Sequence, residues 1–146
     1  MLSFGHELLN GWLIGSSSHS SWYAGLIQAP WALAKETYGP ICTVYYAVLS
    51  LSIWNLWRRY SLRNLKLEVS VFFAQFFFQI VWASSFFVLQ ETLLALVVLL
   101  LLCCNHLLSA LLFWKKDSSS GGLLLLSFFW IFYVMGLNMV ICISNP

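Results

Sequence analysis

Charged residues are what this sequence has least of: they make up 8% of its 146 positions, whereas hydrophobic residues make up 61%. A water-soluble domain of this size could not bury so much apolar surface with so few charges left for its exterior. The composition therefore excludes a soluble globular domain and predicts an integral membrane protein. The net charge of +2 comes from residues clustered at the ends of apolar runs, so it gives no case for nucleic-acid binding.

Catalytic and metal-binding patterns are equally scarce. The five carboxylates are scattered singly over the amino-terminal segment, the loops and the ends of apolar runs, so no pair is placed for acid–base chemistry. The four cysteines show no C-x-x-C spacing, and no glycine-rich loop is present to hold a phosphate. We therefore predict no catalytic residue, no metal site and no cofactor.

His106 is the one candidate for a metal or haem-iron ligand. It follows Asn105 near the middle of an apolar run and lies three residues from Cys103. The alternative is a structural hydrogen bond inside a helix bundle, which is the commoner role of a polar residue in a membrane. We favour the structural interpretation.

Long apolar runs determine the predicted fold. A transmembrane helix needs about 20 mainly apolar residues, and four runs meet that length: residues 40–57, 69–89, 92–114 and 123–143. A fifth segment, residues 2–20, is interrupted by Glu7, Asn10 and a serine-rich run, so taken alone it is either a span or an interfacial helix. We expect an all-α membrane protein that forms a single domain over residues 1–146.

The connections between the runs are uneven. Residues 22–39 are too polar to span a membrane and too rich in aromatic residues for a plain linker, so we expect them to form a lid. Gln90 and Glu91 leave room only for a tight antiparallel hairpin. Basic residues cluster between residues 57 and 69 and after residue 114, and the positive-inside rule places both clusters in the cytoplasm. If the chain has five spans, the amino terminus then lies in the cytoplasm. If it has four, the amino terminus lies on the opposite side of the membrane.

Three spans present polar and aromatic residues on one helical face. On the span 69–89, Gln75, Gln79, Trp82 and Phe86 follow i, i+4, i+7, i+11 spacing. Amide groups facing lipid would lack partners, so this face should point into the bundle, either as interhelical links or as part of a ligand site. Comparable faces on the spans 40–57 and 123–143 carry Cys42, Tyr45, Tyr46 and Leu49, and Trp130, Val134 and Asn138. Such walls suit a planar, largely apolar ligand.

Several motifs resemble those of one membrane-protein family. The stretch Trp22-Tyr23-Ala24-Gly25-Leu26, then Trp31, Gly39-Pro40 and Tyr46, is similar to W-Y-A-G-L, a tryptophan and G-P-V-W-x-x-x-Y. Gln75, Trp82 and Phe86-Phe87 resemble Q-L-x-L-N-x-x-W-x-x-x-F-F, while Trp130, Leu137-Asn138 and Asn145 resemble W-x-x-F-A-x-x-L-N and a final asparagine. These are the motifs of the TspO/MBR family, the translocator or tryptophan-rich sensory proteins, also called peripheral benzodiazepine receptors.

This resemblance implies five transmembrane helices, a loop at residues 22–39 that closes over a pocket, and a homodimer. The family's ligands are porphyrins and haem-like tetrapyrroles, sterols, and isoquinoline or benzodiazepine compounds. Together with the helical faces, the resemblance gives a predicted ligand site made of ten residues: Tyr23, Trp31, Cys42, Tyr46, Gln79, Trp82, Phe86, Trp130, Val134 and Asn138.

The sequence also departs from the family pattern. The tryptophan after Gly-Pro is Cys42, the asparagine of the third helix is Gln79, and the acid of the fourth helix is Val98. The two loop prolines are Leu33 and Ala34, and the Pro-Tyr before Trp130 is Leu126-Ser127. Porphyrin photochemistry in some members is attributed to pocket tryptophans, so the loss at position 42 favours binding over degradation.

We therefore predict a membrane receptor or carrier for tetrapyrroles and other flat apolar ligands. The alternatives are a light-dependent porphyrin-degrading enzyme and a structural membrane scaffold.

Sterol recognition in animal members is linked to a carboxyl-terminal tyrosine followed by a basic residue, and this sequence ends without either. That favours a bacterial cell membrane over the mitochondrial outer membrane.

Overall fold

The computed structural model describes residue 22 and residues 25–145. The predicted span at residues 2–20 and Tyr23 of the predicted site lie outside these residues. Within the described part of the chain, all regular secondary structure is helical.

Four long helices account for most of the described residues. They are α1 (Lys35–Arg59), α2 (Lys66–Ala83), α3 (Thr92–Lys116) and α4 (Ser118–Ser144). A short 3-10 turn at Leu62–Asn64 joins α1 to α2, and a π-helical turn at Ser84–Val88 extends α2. All four helices are long and apolar enough to cross a membrane. A helix suits that environment because it satisfies its own backbone hydrogen bonds.

Three of the four helices begin earlier than the apolar runs indicate, α2 by three residues, at Lys66. Helix α1 starts at Lys35, so residues 35–39 belong to a helix rather than to the predicted lid, and Pro40 lies inside it. Helix α4 starts at Ser118, five residues before the predicted 123, because the Asp117 carboxylate accepts a hydrogen bond from the Ser120 backbone N–H at 2.9 Å. Asp117 is the whole connection between α3 and α4.

The reversal between α2 and α3 is as tight as predicted. The Leu89 N–H donates to the Ser84 carbonyl and the Glu91 N–H to the Ser85 carbonyl, both at 3.0 Å. Gln90 takes a left-handed backbone conformation with φ of 59°. Helix α3 can therefore return directly along α2.

The helices pack in the spatial order α1, α4, α3, α2. Helices α1 and α2 thus lie at the two ends of this row. Long side chains reach from one of these helices to the other. We call the end where α1 and α3 finish the basic end, because it carries six basic residues: Arg58, Arg59, Arg63, Lys66, Lys115 and Lys116. The other end, which holds the residue 26–34 loop, is the loop end.

Candidate ligand site between the helices

Gln79 joins the two flanking helices through its side-chain amide. Its Oε1 accepts a hydrogen bond from the Tyr46 hydroxyl at 3.1 Å, and its Nε2 donates to the Tyr45 hydroxyl at 2.7 Å. All three side chains are buried. Gln79 therefore makes an interhelical link, one of the two roles that its spacing predicts.

Gln75, one turn earlier on the same face of α2, contacts His106 of α3. Its Oε1 lies 2.8 Å from His106 Nδ1, while His106 Nε2 lies 2.9 Å from the Leu124 carbonyl and 3.0 Å from Ser127 Oγ. The Leu124 carbonyl can only accept, so Nε2 carries a proton. Both ring nitrogens are thus engaged, and the imidazole has no lone pair directed at a metal.

The proton on Nε2 also determines how the Gln75 amide should lie. A neutral imidazole with its proton on Nε2 presents Nδ1 as an acceptor, and an acceptor needs a donor opposite. Rotating the Gln75 amide by half a turn brings its NH₂ group to Nδ1 and moves its oxygen away. In that arrangement His106 is a neutral hydrogen-bonding centre that joins α2, α3 and α4.

Aromatic residues of α2 form a cluster near the loop end. Trp82 stacks on Phe86 with ring centroids 6.2 Å apart, and Trp22 meets Phe86 edge-on at 5.7 Å. Buried Ala95 of α3 and Ile141 of α4 complete the cluster. The predicted inward face of α2 is therefore buried against its neighbours at Gln75, Gln79 and Phe86, and partly buried at Trp82.

A second aromatic group lies on α4 and beneath the loop. Trp130 stacks on Tyr133 at 5.4 Å and contacts Tyr38 of α1 at 6.0 Å. Trp31 of the loop meets Tyr133 edge-on at 5.6 Å. Trp31 also lies over Gly136, where an added Cβ would come within 3.2 Å of the indole ring.

Hydrogen bonds hold the loop against the end of α4. Asn145 Oδ1 accepts from the Ile27 N–H at 3.0 Å, and its Nδ2 donates to the Ile27 carbonyl at 3.2 Å. The Tyr133 hydroxyl accepts from the Leu33 N–H at 3.0 Å. Tyr133 of α4 and Asn145, the residue that directly follows α4, thus bind the loop backbone near its end and near its start.

The structure brings most of the predicted ligand-site residues together. One core cluster contains Cys42, Tyr46, Trp82, Trp130 and Val134, and Phe86 joins it through its contact with Trp82. Trp31 is on the loop with its side chain 48% exposed, and Asn138 is buried on α4. Tyr133 and Asn145 were absent from the predicted site, although Tyr133 follows Trp130 at i+3 spacing on the same helix.

Two of these residues hold buried polar atoms without a partner among the described residues. They are Trp82 Nε1 and both side-chain atoms of Asn138, Oδ1 and Nδ2. Asn138 lies three residues before Ile141, which packs in the same cluster as Trp82. An unpaired polar group inside a membrane domain carries a cost of about 1–3 kcal/mol. Among the described residues, these atoms therefore have unused hydrogen-bonding capacity.

The described helices define the class of protein. Four apolar helices of spanning length, with buried hydrogen bonds between them and large apolar side chains outside, make this an all-helical integral membrane protein.

Comparison with known proteins identifies the family. The model of the TspO/MBR family matches residues 2–143, essentially the whole chain. The chain therefore belongs to the TspO/MBR family, which confirms the resemblance that its motifs indicate. No curated protein matches it.

Proposed function

We propose that this protein is a membrane receptor or carrier that binds a planar, largely apolar ligand, such as a porphyrin or haem-like tetrapyrrole. The ligand lies between the helices, from the middle of the bundle to the loop end. The observation that carries the proposal is that stacked aromatic side chains lie in the same region as polar atoms of Trp82 and Asn138 that have no partner among the described residues.

The two polar groups restrict the chemistry of the ligand. The Trp82 indole N–H can only donate, so the ligand must carry an acceptor. The Asn138 amide both donates and accepts, so it pairs best with a carboxyl or amide edge. A flat ring system with such a substituent fits both requirements. Tetrapyrroles with protonated carboxyl side chains have this form, and so do isoquinoline carboxamides that carry an N–H.

Membership of the TspO/MBR family supports three further parts of the proposal. Residues 2–20 form a fifth span, the protein is a homodimer in the membrane, and the residue 26–34 loop covers the ligand. The last part is also supported by the hydrogen bonds that Asn145 and Tyr133 accept from the loop backbone.

Trp82→Phe tests the polar contact, because phenylalanine keeps an aromatic six-membered ring and lacks the N–H donor, although its side chain is smaller. We expect the wild-type protein to bind protoporphyrin saturably and the variant to bind about 2- to 10-fold more weakly, the effect of one lost hydrogen bond. The ligand's own absorbance should be followed, since removing a tryptophan changes the protein fluorescence.

Trp54→Phe is the matched control, because Trp54 is 56% exposed on α1, away from the buried aromatic clusters. It should leave the affinity unchanged. Non-saturable uptake of porphyrin by the wild-type protein, equal to its partition into empty micelles, would overturn the proposal and favour a scaffold. Product formed under illumination beyond that of free porphyrin would favour degradation instead.

A further inference from the structure

The basic end of the bundle carries an excess of positive charge. Its six cations are accompanied, among the described residues, by two acids, Glu68 and Asp117. The described residues of the loop end have the opposite balance, with Glu36 and Glu91 against Lys35. The charge is therefore concentrated on one membrane face.

The two acids of the basic end are used in holding the helices together. Asp117 pairs with Arg59, and Glu68 Oε1 lies 3.8 Å from Lys116 Nζ. The Tyr60 hydroxyl donates to the Lys116 carbonyl at 2.9 Å. These contacts connect the end of α1, the start of α2 and the junction of α3 with α4. The remaining cations of these segments therefore lie at the same end of the bundle.

Four cations stay outside these pairs. Arg58, Arg63, Lys66 and Lys115 are exposed, and the described part of the chain offers them no carboxylate within salt-bridge distance. We call these four residues the basic surface. Orientation in the membrane requires only that basic residues be numerous on one side. It does not require the acids to be turned inward and the cations left outward.

Aromatic side chains indicate the depth of the basic surface. Trp57 and Trp114 are 43% and 50% exposed, and each directly precedes basic residues in the sequence. Tryptophan at the end of a spanning helix lies at the level of the lipid headgroups. Long basic side chains beside it reach to the same level. The anions that meet this surface are therefore headgroups of the bilayer.

We propose that the basic surface binds the headgroups of anionic phospholipids, and that Arg58, Arg63, Lys66 and Lys115 are the contact residues. The phosphate oxygens of such a lipid accept hydrogen bonds from guanidinium and ammonium groups. Clusters of four or more basic residues next to a spanning helix attract anionic lipids. This binding is separate from the ligand between the helices.

The test is lipid selectivity of the full chain reconstituted in phosphatidylcholine bilayers. Spin-labelled phosphatidylglycerol and spin-labelled phosphatidylcholine are compared for the fraction immobilised at the protein surface. We expect the wild-type protein to prefer phosphatidylglycerol several-fold, and the preference to fall as salt is raised. In the variant R58Q/R63Q/K66Q/K115Q the two lipids should associate equally.

Controls separate this effect from unfolding and from unspecific charge. Lys35→Gln removes a cation at the loop end and should keep the wild-type preference. The double variant R58Q/K115Q, which disturbs fewer positions, should lose part of it, and circular dichroism reports whether each variant remains folded. Equal association of the two lipids with the wild-type protein, or an unchanged preference in both basic-surface variants, would overturn the proposal. So would competition by soluble glycerol phosphate at the concentration of the lipid.

Discussion

Asp117 makes a pH-dependent contribution to the stability of the junction between α3 and α4. The Ser120 hydroxyl donates to its carboxylate at 2.6 Å, which holds the pKa of Asp117 below its ordinary value. Burial opposes this shift, while the Ser120 N–H and the Arg59 guanidinium add to it. Because the pKa is lower in the folded state, the stabilisation is complete above the unfolded pKa of about 4 and is lost as the pH falls through the folded value.

Asp117→Asn should therefore remove the acid-dependent part of the stability in the region below pH ~4. At neutral pH it should cost about 0.3–1 kcal/mol, because asparagine still caps the helix through its side-chain oxygen and only the negative charge at the helix start is lost. Thermal unfolding in detergent across a pH series measures both effects. Ser120→Ala should move the acid transition towards higher pH, whereas Ser119→Ala, at an exposed neighbour, should not. Identical acid transitions in all three variants would contradict this role for Asp117.

His106 and Gln79 show how far a single residue can be interpreted from the sequence. Their inward position follows from helical spacing, because an isolated polar group facing lipid is costly. Their partners do not follow from spacing: Gln79 meets Tyr45 and Tyr46, 34 and 33 positions away, and His106 meets Gln75 and Ser127. Only the packing of α1, α2, α3 and α4 decides between a metal ligand, a ligand contact and an interhelical link.

At the scale of the helices, hydropathy identifies their apolar centres but not their ends. Residues 40–57, 69–89, 92–114 and 123–143 all fall within or almost within the observed helices. The first turns of α4 are missing from that pattern because they consist of three serines and two glycines. They are helical because Asp117 caps them and because Gly121 allows α3 to approach closely.

Gly121→Ala tests this close approach. A Cβ at Gly121 would lie 2.6 Å from the Trp114 backbone, so α3 and α4 would have to move apart. We expect a loss of about 1–3 kcal/mol, typical of overpacking. Gly122→Ala is the matched control, because its Cβ would lie 3.7 Å from the Trp114 ring, an ordinary contact. The free energies of unfolding of the two variants, measured by thermal unfolding, should differ clearly. Equal values would show that the junction between α3 and α4 can relax.

At the scale of the whole molecule, the helical faces of the predicted site can be predicted from the sequence, whereas the position of the loop cannot. The inward faces of three helices are properties of local spacing, and they converge in one core cluster. The position of the loop depends on contacts such as that of Ile27 with Asn145, which are 118 residues apart. The resemblance to a family could point to a lid, but not to the side chains that hold it.

Asn145→Ala tests whether those side chains control access to the interior. It removes the bonds to both Ile27 backbone groups, while Tyr133 keeps its bond to Leu33 and Trp31 keeps its place over Gly136. The loop should then open more often at its start, which raises the association and dissociation rates of protoporphyrin together, with little change in affinity. Stopped-flow absorbance measures both rates, and Ser144→Ala is the control at the adjacent position. If Asn145→Ala weakened binding solely through faster dissociation, Asn145 would instead act on the bound state, and the loop would not limit entry of the ligand.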